Sequence, residues 1–429
     1  MIWFKYVWNE SQMTNLDTSR KAKSIFMFFS HKIRALFNLP MLLFLLLQLL
    51  ATTAFSTKDA LVPMETDITD IHQPTSSSWK LKSRTPSNTI LHFTAALKIQ
   101  PANAITLERI FYEVSDPKHS NYGQYWSQSK MSNLLSPFPH HLKLMKKWIK
   151  QYNTTMNFTN ELVSFSLTAA QAEMAFHTEF FAHQHQIHAS VVLHRAPQGY
   201  SLPFDVAAAV NTIDGITRLP YLSTPSTFIT QQQPHVGGTG GTGGPFPDTC
   251  SGKCSGRVTP AILSERYQMG DPPTDPHNKS SMAVAEFQNQ GWDQKDCDKL
   301  AAACKTQNIT VNTQIPANKP TGGPSTEALL DIQYIKSLGG SIPLTNIYST
   351  EYSLLNWAKV LSSLQNPPLV NSVSYGNDEN QQTGVAYMES CNVQFKALGV
   401  RGLSILFASG DQGVCGRFNL FIEPQHSCY

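Results

Sequence analysis

Apolar and polar positions first fall into a regular order at Ile90. Leu91-His-Phe-Thr-Ala-Ala-Leu-Lys98 alternates, imperfectly, as a half-buried strand does. Ala104 to Val114 reads as a helix stopped by Asp116-Pro117, and Leu142 to Tyr152 as a second. Leu162 to Leu167 is strand-like, Ala169 to Phe180 helical, and Val191 to His194 a short strand. Strands mixed with helices over a segment of this size predict an α+β unit at residues 90–221. The stretch before it, 57–89, is polar and rich in Ser, Thr and Pro, and predicts a loose leader.

The pattern breaks at 222–257. Gly237-Gly-Thr-Gly-Gly-Thr-Gly-Gly244 and the glutamines before it offer too little apolar surface for a core, so this is a linker open to proteolysis. It lacks the Gly-Lys-Ser/Thr ending of a phosphate loop. A second pattern occupies 258–417. Met282 to Phe287, Leu344 to Tyr348, Leu369 to Tyr375 and Leu403 to Ala408 read as strands. Glu327 to Leu338, stopped by Gly339-Gly340, Tyr352 to Leu364 and Ala386 to Leu398 read as helices between them. Strands alternating with helices predict parallel βαβ units, whose functional loops lie at the carboxyl ends of the strands. Two such ends are Ser374-Tyr375-Gly376 and Ser409-Gly410-Asp411. Beyond Arg417 the order fails, and 418–429 is a divergent tail on a sheet that stops in mid-construction.

Composition narrows the classes. The 429 residues carry a formal charge of +3, and no Lys/Arg block interleaves with aromatics, which argues against a nucleic-acid partner. Residues 1–56 place Lys32 and Arg34 before the apolar run Leu39 to Leu50, then small residues, the layout of a secretory signal. The run is short for a membrane span, so a membrane is a partner only if the signal is an uncleaved anchor. Secretion fits the Asn-x-Ser/Thr sites at Asn153, Asn157, Asn278 and Asn308. It also fits the seven cysteines, which form no zinc pattern and read as disulfide formers with one left over.

For chemistry, histidine is badly placed. Ten of the fourteen lie between His72 and His194, so the second half has almost no imidazole for a Ser-His-Asp machine. Carboxylates are the alternative base. Glu327 and Asp331 stand four apart on a predicted helix, on one face, among Ala328, Leu329, Leu330 and Ile332. Two acids in apolar surroundings share a proton, and one can act as base while the other holds it. The spacing alone also describes an exposed acidic stripe. Asp411, held between Gly410 and Gly413, is placed to donate to an oxyanion if kept neutral, or is an ordinary turn residue. Gln412 stands where a Gly-Asp-Ser-Gly serine would be, and no Gly-x-Ser-x-Gly elbow surrounds Ser409. His177, His183, His185, His188 and His194 would gain charge near pH 6 and loosen the first half, or are merely solvated.

These residues carry a resemblance. Gly323-Pro-Ser-Thr-Glu327-Ala-Leu-Leu-Asp331-Ile-Gln-Tyr334, Asn371-Ser-Val-Ser-Tyr-Gly376 and Phe407-Ala-Ser-Gly-Asp-Gln-Gly413 resemble segments of the sedolisin, or serine-carboxyl peptidase, family. Val114-Ser-Asp-Pro117, Tyr122-Gly-Gln-Tyr125 and Tyr200-Ser-Leu-Pro203 resemble its activation prodomain, and Val258-Thr-Pro260 the start of its mature enzyme. The resemblance implies a ferredoxin-like α+β prodomain followed by an incomplete α/β subtilisin-like parallel-sheet domain, in a tripeptidyl-peptidase-like precursor cut in the linker at acid pH. It implies Glu327 as general base, Asp331 as the residue orienting it and Asp411 in the oxyanion hole. Ser374, Tyr375 and Gly376 would line the substrate, with peptides and the chain's own prodomain as partners. It further implies a nucleophile in a Gly-Thr-Ser-Ala-like motif and a Ca2+ site after it. Neither motif occurs here, so Cys415 is left to pair beyond this chain, and the nucleophile and metal are expected to be missing. The expectation is therefore a truncated precursor of the secretory pathway, lysosomal, vacuolar or extracellular. The alternative is an inactive isoform that binds peptides or inhibits a complete relative.

Overall fold

The computed structural model describes residues 60–66, 79–186, 191–220, 258–274, 279–317, 323–376 and 384–410. The signal region, the linker, Asn278, His188, Asp411 and the tail 418–429 lie outside these residues.

The amino-terminal half begins with β1 (Leu61–Thr66), β2 (Trp79–Arg84) and β3 (Ile90–Leu97). Helices α1 (Pro101–Ser115), α2 (Gln128–Leu134) and α3 (Pro139–Lys150) follow, then β4 (Met156–Thr159), β5 (Leu162–Thr168) and α4 (Ala169–Phe176). It closes with β6 (Phe181–His185), β7 (Val192–Arg195), β8 (Gly199–Pro203), α5 (Phe204–Ala209) and β9 (Val210–Asp214). Its main sheet runs β4-β5-β3-β9, all antiparallel, and smaller sheets pair β2-β6-β7 and β1-β8. Phe93 on β3 faces Phe165 across the ladder and meets Phe176 edge-on at 4.8 Å, which sets the core.

Two expectations need correction. The stretch 57–89 is not only a loose leader, since Leu61–Thr66 and Trp79–Arg84 are strands. Polarity hides β2, because a strand held at a sheet edge by backbone pairing needs little apolar surface. In β2 only Trp79 is buried, its indole N–H donating to the Pro220 carbonyl at 2.9 Å. The helix expected to reach Phe180 ends at Phe176, where His177 takes φ 50° and turns the chain into β6.

The carboxy-terminal half holds α6 (Pro260–Arg266), β10 (Met282–Glu286), α7 (Gln294–Cys304), β11 (Thr313–Ile315) and α8 (Thr326–Gly339). Then come β12 (Leu344–Tyr348), α9 (Leu354–Ser363), β13 (Val370–Val373), α10 (Val385–Val400) and β14 (Ser404–Phe407). The strands form one parallel sheet, ordered β11-β12-β10-β13-β14. Helix α8 stops where the glycines predict, with Gly340 at φ 64° and its Cα against the Pro273 backbone, a place no side chain fits. Because side chains alternate across a pleat, β10 serves two cores. Met282 and Val284 pack with Cys297, Ala301 and Ile332 of α7 and α8, while Ala283 and Ala285 pack with Trp357, Ala358 and Leu398 of α9 and α10. Among the described strands β14 lies at the sheet edge, with Leu406 and Phe407 55% and 40% exposed.

The halves are packed against one another. The uneven alternation of β3 has this cause: Leu91, Phe93, Ala95 and Leu97 fill the first core, while Ala96 faces Leu355, Tyr387 and Cys391 of the second half. Helix α1 lies on α10, where a side chain at Gly399 would strike the Phe111 ring. Polar contacts cross the seam. Thr94 donates to Asn356 at 2.6 Å, Ser353 to Asp214 at 2.5 Å, and Arg195 pairs with Glu351 at 2.6 Å. The Arg218 guanidinium sits 3.4 Å above the Tyr387 ring. Gln394 donates to Glu161 at 2.5 Å, and burial pushes the Glu161 carboxyl up to about 8. Of the expected histidine trigger, His183 and His194 are held below the ordinary histidine range by burial and then by the Arg195 charge.

These groups oppose each other in pH. Glu161 is bound as the acid, so its contribution is full below an ordinary glutamate pKa and is lost as pH rises through about 8. Glu161→Gln is expected to raise stability above pH 8 by roughly 2–5 kcal/mol relative to the parent and to change it little at pH 4. The two histidines fold neutral, so their cost appears as pH falls below about 6.5. Replacing both by Gln should flatten the acid side of the same curve. Thermal melts of the three proteins across pH 4–9 check both signs, and parallel curves would refute the assignment.

Candidate active site

Three carboxyl groups meet at the carboxyl end of the parallel sheet. The first closes β10. Glu286 follows Met282 and Val284 on the α8 side of the pleat, by the same period of two that seats those residues in the core. It is fully buried. The other two come from the first two turns of α8, which packs on β10. Glu327 is half-buried in the first turn, where a negative charge suits the helix dipole. Asp331 stands one turn further on the same face. An edge of Asp331 reaches the surface, but its Oδ2 is enclosed and has no hydrogen-bond partner.

The strand after Asn371 supplies the remaining wall. Ser374 donates to Asp331 Oδ1 at 2.8 Å. The Tyr375 hydroxyl lies 2.9 Å from Glu286 Oε2 and 3.3 Å from Gln290 Oε1, and its ring stands edge-on to Phe287 at 5.0 Å. At Gly376 an added side chain would meet no atom within 4 Å among the described residues. The structure thus brings together Glu327, Asp331, Ser374, Tyr375 and Gly376. Asp411 lies outside the described residues.

Electrostatics follow from this enclosure. Burial pushes Asp331 up to about 6, with the Ser374 hydrogen bond pulling the other way. Glu286 is raised well above the carboxylate range by burial, then by the Asp331 charge, with Glu327 adding to it. Tyr375 is raised by burial and by Glu286. At neutral pH the cluster therefore keeps at least one proton, and acid adds another. Such a group can pass a proton to or from a bound reactant without a histidine. The exposed-stripe alternative for Glu327 and Asp331 does not hold for Asp331.

Glu286 is the residue that sequence reasoning missed. Its signal was a lone carboxyl ending an otherwise apolar strand, Met282-Ala-Val-Ala-Glu-Phe287. A charge at a position whose strand is buried on both faces needs a partner or a proton.

The family described as Pro-kumamolisin, activation domain, matches residues 77–219. The chain is 28% identical to physarolisin of Physarum polycephalum over 359 residues, covering 79% of this chain and 57% of that protein. It is 29% identical to tripeptidyl-peptidase 1 of Rattus norvegicus over 355 residues and 28% identical to that of Homo sapiens over 349, covering 78% of this chain and 58% of each relative. The chain thus spans a little over half the length of the relatives it matches. An activation-domain match over the first half, joined to peptidase likeness through the second, supports a sedolisin-family precursor.

Proposed function

We propose that the chain is the precursor of an acid-acting serine-carboxyl peptidase, a tripeptidyl-peptidase or an endopeptidase, that hydrolyses peptide bonds. The observation that carries the reading is the enclosed acid cluster, in which Asp331 is pushed up to about 6 beside Glu327 and Glu286. Residues 90–221, together with the strands β1 and β2 before them, act as a ferredoxin-like prodomain. Residues 222–257 are the linker that is processed, and 258–417 part of a subtilisin-like domain. The protein travels the secretory pathway, to a lysosome-like compartment or out of the cell. Among the described residues no helix is long and apolar enough to cross a membrane.

In the reaction Glu327, half-buried in the first turn of α8, takes the proton of a serine hydroxyl. Asp331, fixed by Ser374, orients Glu327 and shares its charge. Asp411, as the neutral acid, donates to the developing oxyanion. Ser374, Tyr375 and Gly376 form the strand along which the peptide lies. Calcium remains an expectation of the resemblance, since among the described residues no three acids, histidines or cysteines are grouped to hold it. No step here passes through a metal.

The sequence contains no Gly-Thr-Ser-Ala-like motif, which favours a second reading as a non-catalytic, prodomain-type inhibitor or peptide binder. Peptide turnover by this chain alone at acid pH decides in part: none is expected, and turnover would show that a serine within it serves as nucleophile. Supplied in frame with a segment that carries the motif, the protein should hydrolyse peptides, and Glu327→Gln should lower kcat/KM about 10²–10⁴-fold. Hydrolysis undiminished by that change would sink the reading.

Asp331 gives a test free of activity. Its raised carboxyl favours the fold below an ordinary aspartate pKa and costs stability as pH rises through about 6. Asp331→Asn can still accept from Ser374. It should stabilise the protein at pH 8 by about 1–3 kcal/mol and leave it unchanged at pH 3.5. Chemical denaturation at the two pH values measures this.

A further inference from the structure

One side chain ties the three elements of the site together and takes no part in the mechanism above. Gln290 follows Gln288 and Asn289, two successive residues at φ 62°, a left-handed turn that non-glycine residues rarely make. The turn lays the chain along the approach to α8. Gly291 N–H donates to the Gly323 carbonyl at 3.0 Å, and Ser325 N–H donates to the Gly291 carbonyl at 2.9 Å. Gln290 Oε1 then stands 3.3 Å from Ser325 Oγ and 3.3 Å from the Tyr375 hydroxyl. Ser325 occupies the N-cap of α8 yet caps no backbone N–H, because its hydroxyl is directed to Gln290 and the Gly291 carbonyl.

The phenol of Tyr375 has one proton and two neighbouring acceptors. If the proton points to Glu286 Oε2, Gln290 loses it. If it points to Gln290, which as an amide oxygen can only accept, the 2.9 Å contact with Glu286 requires Glu286 to be the donor. The surroundings of Glu286 favour the second arrangement. Asp331 and Glu327 face it from α8, Tyr375 from the segment after β13 and Tyr348 from the end of β12, and among these no cation stands. The donors then run one way, from Glu286 to Tyr375 to Gln290.

We propose that Gln290 is a positioning residue: by accepting the Tyr375 proton it fixes the direction of the Tyr375–Glu286 hydrogen bond and keeps Glu286 the donor. The functional weight of this rests on the peptidase reading, because a neutral Glu286 leaves the negative charge of the cluster to Glu327 and Asp331. The hydrogen-bond direction itself does not depend on it.

The test is a carboxyl ¹³C NMR titration of the full chain, with the Glu286 signal assigned by its loss in Glu286→Gln. In Gln290→Leu the tyrosine proton turns to Glu286, and the Glu286 midpoint should fall by about 0.5–1 pH unit, the worth of one hydrogen bond. In Gln290→Glu an added like charge should raise it. In a Tyr375→Phe background Gln290→Leu should have no effect. A packing role alone would not give opposite signs in the two variants or vanish with the phenol. An unchanged midpoint in both Gln290 variants overturns the proposal, and Gln290→Glu serves if Gln290→Leu does not fold. Peptide hydrolysis is measured separately, on the protein supplied in frame with the motif-bearing segment: its absence there with the midpoint shifts intact counts against the peptidase reading alone, and its presence without them counts against Gln290 alone.

Discussion

Strand β10 is dry on both faces, and a carboxyl at its end has no water to ionise into. That condition fixes the chemistry of the site. Glu286 must keep a proton or find a cation, and none of its neighbours among the described residues is one. Asp331, one hydrogen bond away from the same wall, is drawn into the same proton economy, and so is the phenol between β13 and β10. The two helix layers that bury β10 therefore do more than stabilise a sheet, because they set the charge state of every acid near its end.

The seam between the halves obeys the same physics with a different outcome. Burial pushes Glu351 up, but the Arg195 guanidinium outweighs it and holds the carboxyl below its ordinary range. Glu161 has only an amide for a partner and stays an acid. The seam thus combines groups that tolerate acid with groups that resist it. Its tightest steric contacts, at Gly399 and at Gly402 beneath the Tyr125 ring, hold at any pH. Docking and its pH response are carried by separate residues.

Much of this was legible in the sequence where a strong period meets a stop signal. Strand β12 and the glycine end of α8 lie where the pattern puts them. Glu327 and Asp331 were found by helical spacing, and Ser374 to Gly376 by their place after a strand. What stayed hidden depends on contacts far apart in the chain. Strand β2 is polar because only Trp79 faces inward. Gln290 matters through hydroxyls 35 and 85 residues away, and no local pattern announces that. Glu286 lies between these cases, visible as a misplaced charge but without its partners.

The outer edge of β14 bears on how the protein can be handled. A strand whose outer ladder is open among the described residues, with two large apolar side chains exposed, is a template for another strand. Two molecules that meet along Ser404–Phe407 would extend both sheets at once and cover both edges in one self-complementary contact. Self-association of this kind grows with concentration and closes at the pair, so dilution, or a short β-forming peptide that occupies the edge, would preserve monomers better than any change of salt.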